Sequence, residues 1–239
     1  MSFLGHLEEL RWRLFRAVIA VLVFAIVLFV FTEWVITNVY ISMSETNFAT
    51  YQFFCYLSQN LGFDDALCAN QIKLDLQSIK MMGQFTTNMY FSLIGGVILA
   101  FPYIFSQIWG FVKPGLKSGE KNVSRGVIFF STLLFFIGVM FGYFLVSPLC
   151  VQFFGNYSMS ESIQNNITIN SYISIITTTT FFTGLFFQLP IVVYLLTKLG
   201  VLSPELLKKF RKHALVAILI MSAIITPPDI ISQILVSIP

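Results

Sequence analysis

Long apolar stretches broken by short polar segments organise this chain. They fall at residues 14–31, 85–112, 127–147, 172–199 and 214–226, and residues 230–239 begin another. A membrane-crossing helix needs ~20 predominantly apolar residues, and the middles of these stretches carry no charge. The pattern predicts an all-α fold: a polytopic transmembrane helix bundle of five spans plus the start of a sixth. Pro102 and Pro190 stand inside the second and fourth stretches. Each removes a backbone hydrogen bond, so these two helices are expected to bend. The fifth stretch is short. Residues 214–225 rise only ~18 Å, against ~30 Å of hydrocarbon.

Composition agrees with the pattern. Hydrophobic residues make up 56% of the chain, charged residues 10%, and the mean hydropathy is +0.82. These values lie outside the usual soluble range. No soluble domain and no internal repeat stands out, so the chain reads as one integral membrane domain, 1–239. The first stretch follows basic residues, as in a cleavable signal peptide. It is long for that, and no small-x-small site follows at residues 32–37, so a retained span is expected.

Charge orients the bundle. All but two of the 14 Lys and Arg lie before the first span, between the second and third, or between the fourth and fifth. The other two, Lys73 and Lys80, share their loop with Glu33, Glu45, Asp64, Asp65 and Asp75, and residues 148–171 contain no Lys or Arg. Positive residues concentrate on the cytoplasmic side. The expected layout is therefore a cytoplasmic N-terminal segment 1–13, a first outer loop 32–84, a cytoplasmic loop 113–126, a second outer loop 148–171 and a cytoplasmic loop 199–213. Within the first outer loop, residues 64–82 are expected to form a short helix.

Polar residues inside spans are candidates for function. Thr177, Thr180, Gly184 and Gln188 share one face of the fourth span. Small and hydroxylated residues also line ordinary helix contacts, and both readings stand for the threonines. The Gln188 amide is costly in lipid unless paired. Either it satisfies the carbonyl of Phe186 freed by Pro190, or it acts in function. Glu9 stands four residues before Arg13, the spacing of a helix ion pair, and Glu120 lies in a basic loop. Asp229 is suited to cap a sixth helix. Ser203-Pro204-Glu205 is a helix-start pattern. Cys55 and Cys68 share the first outer loop, where a bridge is chemically permitted and two thiols are the alternative. Cys150 reads as a small apolar residue. The sequence offers no catalytic constellation, metal site, cofactor site or phosphate loop.

Several motifs in order resemble the TatC family of the twin-arginine protein translocase. They are His6-Leu7-Glu8-Glu9-Leu10-Arg11-Trp12-Arg13; Phe101-Pro102; Gln107 through Leu116 with Glu120; Phe136, Gly138, Phe141, Tyr143 and Pro148; Phe187-Gln188-Leu189-Pro190; and Thr226-Pro227-Pro228-Asp229. The resemblance covers nearly the whole chain. It implies a non-enzymatic receptor subunit in the bacterial cytoplasmic (inner) membrane. Such a subunit binds Arg-Arg signal peptides of folded cargo and organises export driven by the proton-motive force. Implied partners are those peptides, small single-span TatA/TatB-type subunits, other copies of the chain and membrane lipid, with no nucleic acid.

Carried onto this sequence, the resemblance assigns signal-peptide binding to Glu9, Glu120, Arg11, Phe111 and Pro114. The residues' own positions, not the resemblance, make Gln188, Thr180, Thr177 and Asp229 the candidates for intramembrane polar or partner contact. A guanidinium fits a carboxylate bidentately, whereas Lys offers a point charge, so two carboxylates suit a pair of arginines. The bent second and fourth spans would form a concave wall, with the Gln188 face turned to its hollow. Two departures stand out. Many family members carry Glu where this chain has Gln188, and an amide takes up no proton. The sixth helix is also short for the family, for which a truncated chain is the first explanation. A small-solute transporter and a membrane anchor of a redox enzyme are the competing readings. The first would favour buried charges and repeats, the second intramembrane His.

Overall fold

The computed structural model describes residues 3–45, 48–61, 76–113, 124–160, 166–198, 200 and 203–225. Among these, the chain is almost entirely helical, and its one β-bridge is an isolated pairing of Gln77 with Thr168. Helix α1 (Phe3–Val30) leads into α2 (Thr32–Val35), a π turn (Ile36–Tyr40) and a 3-10 turn (Ile41–Ser44). Helices α3 (Ala49–Leu61), α4 (Gly83–Val112) and α5 (Ser124–Phe141) follow. A second π turn (Gly142–Val146) joins α5 to α6 (Ser147–Asn156), and α7 (Ile169–Phe186), α8 (Leu189–Lys198) and α9 (Pro204–Ile225) follow.

Among the described residues, four rods are long and apolar enough to cross a membrane: Leu7–Val30, Gly83–Val112, Gly126–Asn156 and Ile169–Lys198. The third runs further than the apolar stretch to Ser147 suggests. Pro148, in the first turn of α6, has no N–H to offer the Phe144 carbonyl four residues before it, and that carbonyl accepts from Thr50. Helix α9 starts at Pro204, as its Ser-Pro-Glu pattern implies. Its first half is basic, with Lys208, Lys209, Arg211 and Lys212, so only residues 214–225 are lipid-like. Helix α3 lies within the first loop, where the sequence also predicts a helix at 64–82. Of that stretch, residues 76–82 form no helix, and the rest lies outside the described residues. Gln77 instead exchanges backbone hydrogen bonds with Ile167 and Ile169, tying the two long loops together.

Small residues bring the rods together. A Cβ added at Gly96 of α4 would lie 2.8 Å from the backbone nitrogen of Ala25 and 2.9 Å from the carbonyl oxygen of Val21, both on α1. A Cβ at Gly138 of α5 would lie 3.0 Å from Gly184 Cα on α7. Close backbone approach of this kind is how helices associate where lipid supplies no hydrophobic drive.

The compact core sits at the end of the bundle away from the N-terminal arginines. Val35, Tyr40, Met43, Phe91, Val151, Tyr172, Ile173 and Ile176 form it, and Met43 is fully buried. Hydroxyls stitch this cluster across chain segments. Tyr172 Oη donates to the Tyr40 carbonyl at 2.8 Å, and Tyr143 Oη donates to the Val39 carbonyl at 2.6 Å. Thr50 donates to the Phe144 carbonyl. These bonds engage carbonyls in the loop's π turn and in the third rod. Burial pushes the phenols of Tyr40 and Tyr51 up to about 12, so both remain neutral donors. Cys55 on α3 is in a disulfide. Cys68, its expected partner, lies outside the described residues.

Candidate functional site

The N-terminal end of α1 carries Glu8, Glu9, Arg11 and Arg13 on one continuous helix. Helical spacing puts Glu9 and Arg13 one turn apart on one face. Arg13 donates twice to the same oxygen, Glu9 Oε1: from Nη2 at 2.6 Å and from Nε at 3.0 Å. The two side chains are only 26% and 28% exposed. The neighbouring pair contrasts with this. Arg11 reaches Glu8 at 3.5 Å, with both side chains largely in the open, and its guanidinium lies 6.0 Å from the Trp12 ring.

Arg13 is held from the far side by α4. An added Cβ at Gly110 would come 2.1 Å from Arg13 Nη1, so the guanidinium occupies the space that a side chain there would fill. Next to Gly110, Trp109 is 4% exposed and stacks on Phe105, which stacks on Phe101. Phe101 in turn stacks on Phe135 of α5. This ladder fixes the end of α4 against the third rod. Phe111 is half-buried beside it. Gln107, one turn before Gly110, has a buried Oε1 with no hydrogen-bond partner. Pro114, Glu120 and Asp229 lie outside the described residues.

The polar face of the fourth rod turns inward rather than toward a hollow. Thr177 Oγ1 donates to the Ile173 carbonyl, so Tyr40 Oη, 2.7 Å away, is the donor to Thr177. Thr180 meets Ser147 at 3.3 Å. Gly184 lies against Gly138, and Gln188 meets Ser131. Gln188 and Ser131 pair reciprocally: Ser131 Oγ donates to Gln188 Oε1 at 2.6 Å, and Gln188 Nε2 donates to the Ser131 carbonyl at 2.9 Å. Of the two readings of Gln188, the bond to the Phe186 carbonyl is not made. The chain turns at Phe187–Gln188 between α7 and α8, and the amide reaches across to α5 instead of back along its own helix.

The comparisons with known proteins come down on the same architecture. The family model described as Sec-independent protein translocase protein (TatC) matches residues 5–239. The chain belongs to the TatC family. Among relatives of this TatC-family chain, the Sec-independent protein translocase protein TatC of Blattabacterium sp. subsp. Periplaneta americana is 37% identical. That match covers 100% of this chain and 90% of the relative. TatCy of Bacillus subtilis is 32% identical over 100% of this chain and 84% of its own. The crystal structure of the twin arginine translocase receptor TatC in DDM superposes with a TM-score of 0.73 at 31% identity, covering 98% of this chain and 93% of that one. This TatC-family chain is thus a membrane protein of the twin-arginine protein translocase.

Sequence reasoning named Glu9 but treated Arg13 only as its ion-pair partner, and it gave no role to Gly110 or Ser131. The Glu9–Arg13 spacing was visible as an i,i+4 pair. The contacts of Gly110 and Ser131 join residues far apart in the chain, and no local pattern announces them.

Proposed function

We propose that this chain is the signal-peptide receptor of the translocase. Glu9 and Glu120 bind the paired arginines of signal peptides on folded cargo, with Arg11, Phe111 and Pro114 around them. The chain then organises export driven by the proton-motive force, together with small single-span TatA/TatB-type subunits and further copies of itself. The supporting observation is Glu9: a carboxylate at the arginine-bearing end of α1, with one oxygen carrying both bonds from Arg13, whose guanidinium lies against Gly110 of α4. The other oxygen is an acceptor suited to a guanidinium donor.

The reading sets the bundle in the bacterial inner membrane with its N-terminus inside, five spans, and bends at Pro102 and Pro190. The single domain 1–239 keeps the loop layout given by its charges. Gln188, Thr180, Thr177 and Asp229 form the proposed contact for a partner helix. The pair with Ser131 uses one N–H and one acceptor site of the Gln188 amide and leaves one of each for an incoming helix. Titration of an Arg-Arg signal peptide into the detergent-solubilised chain tests the receptor role. Glu9→Ala and Glu120→Ala are each expected to weaken binding by ~1.5–3 kcal/mol, the range for hydrogen bonds to charged groups. Wild-type affinity in a folded double variant rejects it.

A further inference from the structure

Two adjacent glutamates on α1 sit in different circumstances. Glu8 shares a 3.5 Å contact with Arg11, with side chains 66% and 72% exposed. Glu9 is gripped by Arg13 through two bonds to one oxygen, at 3.0 and 2.6 Å, with both side chains mostly covered. The grip is possible because position 110 has no side chain. A Cβ there would meet Arg13 Nη1 at 2.1 Å, Cζ at 2.9 Å and Nη2 at 3.3 Å. Gly110 is therefore a seat for the guanidinium, and Arg13 links α4 to the Glu9 carboxylate. A carboxylate accepts at both oxygens. Arg13 uses Oε1 for both of its bonds and leaves Oε2 without one.

We propose that Arg13, seated on Gly110, is the positioning residue that holds Glu9 so that Oε2 takes the N–H of an arriving signal-peptide arginine. The inference rests on the receptor reading of Glu9. It gives the site a fixed acceptor in place of a swinging side chain, and a carboxylate that need not be reoriented on binding loses less affinity to ordering. It also alters the expected recognition. With Oε1 already occupied, the peptide guanidinium contacts Glu9 through one oxygen, not as a fork across both.

The geometry supplies a selective variant. At Gly110 the atoms an added methyl would meet belong to the end of a flexible side chain, whereas at Gly96 they are backbone atoms of α1. Gly110→Ala thus displaces the guanidinium without separating the helices, and Ala favours the helix over Gly. The experiment is peptide titration of the full chain in detergent, comparing wild type, Gly110→Ala, Arg13→Gln, Glu9→Gln and the two doubles that contain Glu9→Gln. Gly110→Ala and Arg13→Gln are each expected to weaken Arg-Arg peptide binding by about tenfold, the scale of one charge-assisted hydrogen bond. In the Glu9→Gln background neither is expected to weaken it further.

Helix content and the melting temperature of Gly110→Ala should match wild type. If the added methyl unfolds the chain, Arg13→Gln and Arg13→Lys carry the test; Lys keeps the charge but cannot place two donors on Oε1, so a loss of binding is expected there too. Wild-type affinity in Gly110→Ala and Arg13→Gln, or equal losses with and without Glu9, overturns the positioning role while leaving Glu9 as the reader. Wild-type affinity in Glu9→Gln alone overturns the receptor reading of Glu9, and the positioning role with it.

Discussion

The two ends of the bundle are built from opposite materials. At the Tyr40 end, the buried Tyr172 and the half-buried Tyr143 donate to carbonyls of a distant segment, and Met43, Phe91, Ile173 and Ile176 pack there with almost no exposed surface. At the Arg13 end, charged side chains stay partly open, and beyond it α8 buries none of its residues and α9 exposes Leu215, Val216, Ile218, Leu219 and Ile220. One end is finished as a folded core. The other presents acceptors and apolar surface to lipid and, on the proposed reading, to a peptide. Stability should therefore reside at the Tyr40 end and binding at the Arg13 end, and variants can separate the two.

The largest effect is expected from Met43→Ala. The residue is fully buried in the core cluster, and truncation of such a side chain costs ~2–5 kcal/mol through lost transfer energy and the cavity left behind. Denaturation in detergent should show that loss, while Arg-Arg peptide affinity, measured where the variant remains folded, should stay at the wild-type value. A Met43→Ala variant that is fully stable would mean that the Tyr40 end does not anchor the fold.

The disulfide at Cys55 belongs to the same end. We propose Cys68 as its partner. Closing that loop is expected to contribute about 2–4 kcal/mol. Alkylation without reductant followed by mass spectrometry should leave both cysteines unmodified and recover one cross-linked peptide pair. Alkylation at both positions rejects the bridge, and with it this share of the stability assigned to the Tyr40 end.

How much of this division can be read in the sequence depends on how local its causes are. The four long apolar helices are legible because lipid demands long runs without charge. The start of α9 is legible because a Ser-Pro-Glu sequence acts on its own neighbours. Helix α3 is harder to read, since it lies in a loop of mixed polarity and is held by contacts such as Thr50 to the Phe144 carbonyl. The polar face from Thr177 to Gln188 is visible as a pattern, but its direction is not. Gly138 on α5 and Gly184 on α7 let those helices close together, and that closeness turns the polar face inward. Glu9 stands out only when its motif is set beside the family's, because four-residue spacing to an arginine is common on any helix surface.

Gln188 lies between the two ends and tests whether they are coupled. Gln188→Leu removes both bonds to Ser131 and leaves a buried hydroxyl and carbonyl without these partners. A cost of ~1–3 kcal/mol is expected. Ser131→Ala added to it should cost less than the sum of the single losses, because both variants break the same pair. Additive losses would show that the amide and the hydroxyl act separately. If the Leu variant keeps its stability but loses association with single-span partner subunits, the amide serves the partner more than the fold.

The smallest effect on stability is expected where the binding effect is greatest. Glu9→Gln removes the Glu9 charge from its pair with Arg13, yet both groups keep contact with solvent. Ion pairs in that setting contribute about 0–1 kcal/mol, because water competes for both charges and ordering two long side chains costs entropy. The melting transition should therefore stay within that range of wild type. Peptide binding should fall, because a neutral amide oxygen is a weaker acceptor for a guanidinium than a carboxylate oxygen. High salt should weaken wild-type binding more than binding by the variant, since screening acts on a charge that the variant lacks. If Glu9→Gln instead destabilises the chain as strongly as Met43→Ala, the Arg13 end is structural too, and the separation between a folded end and a binding end fails.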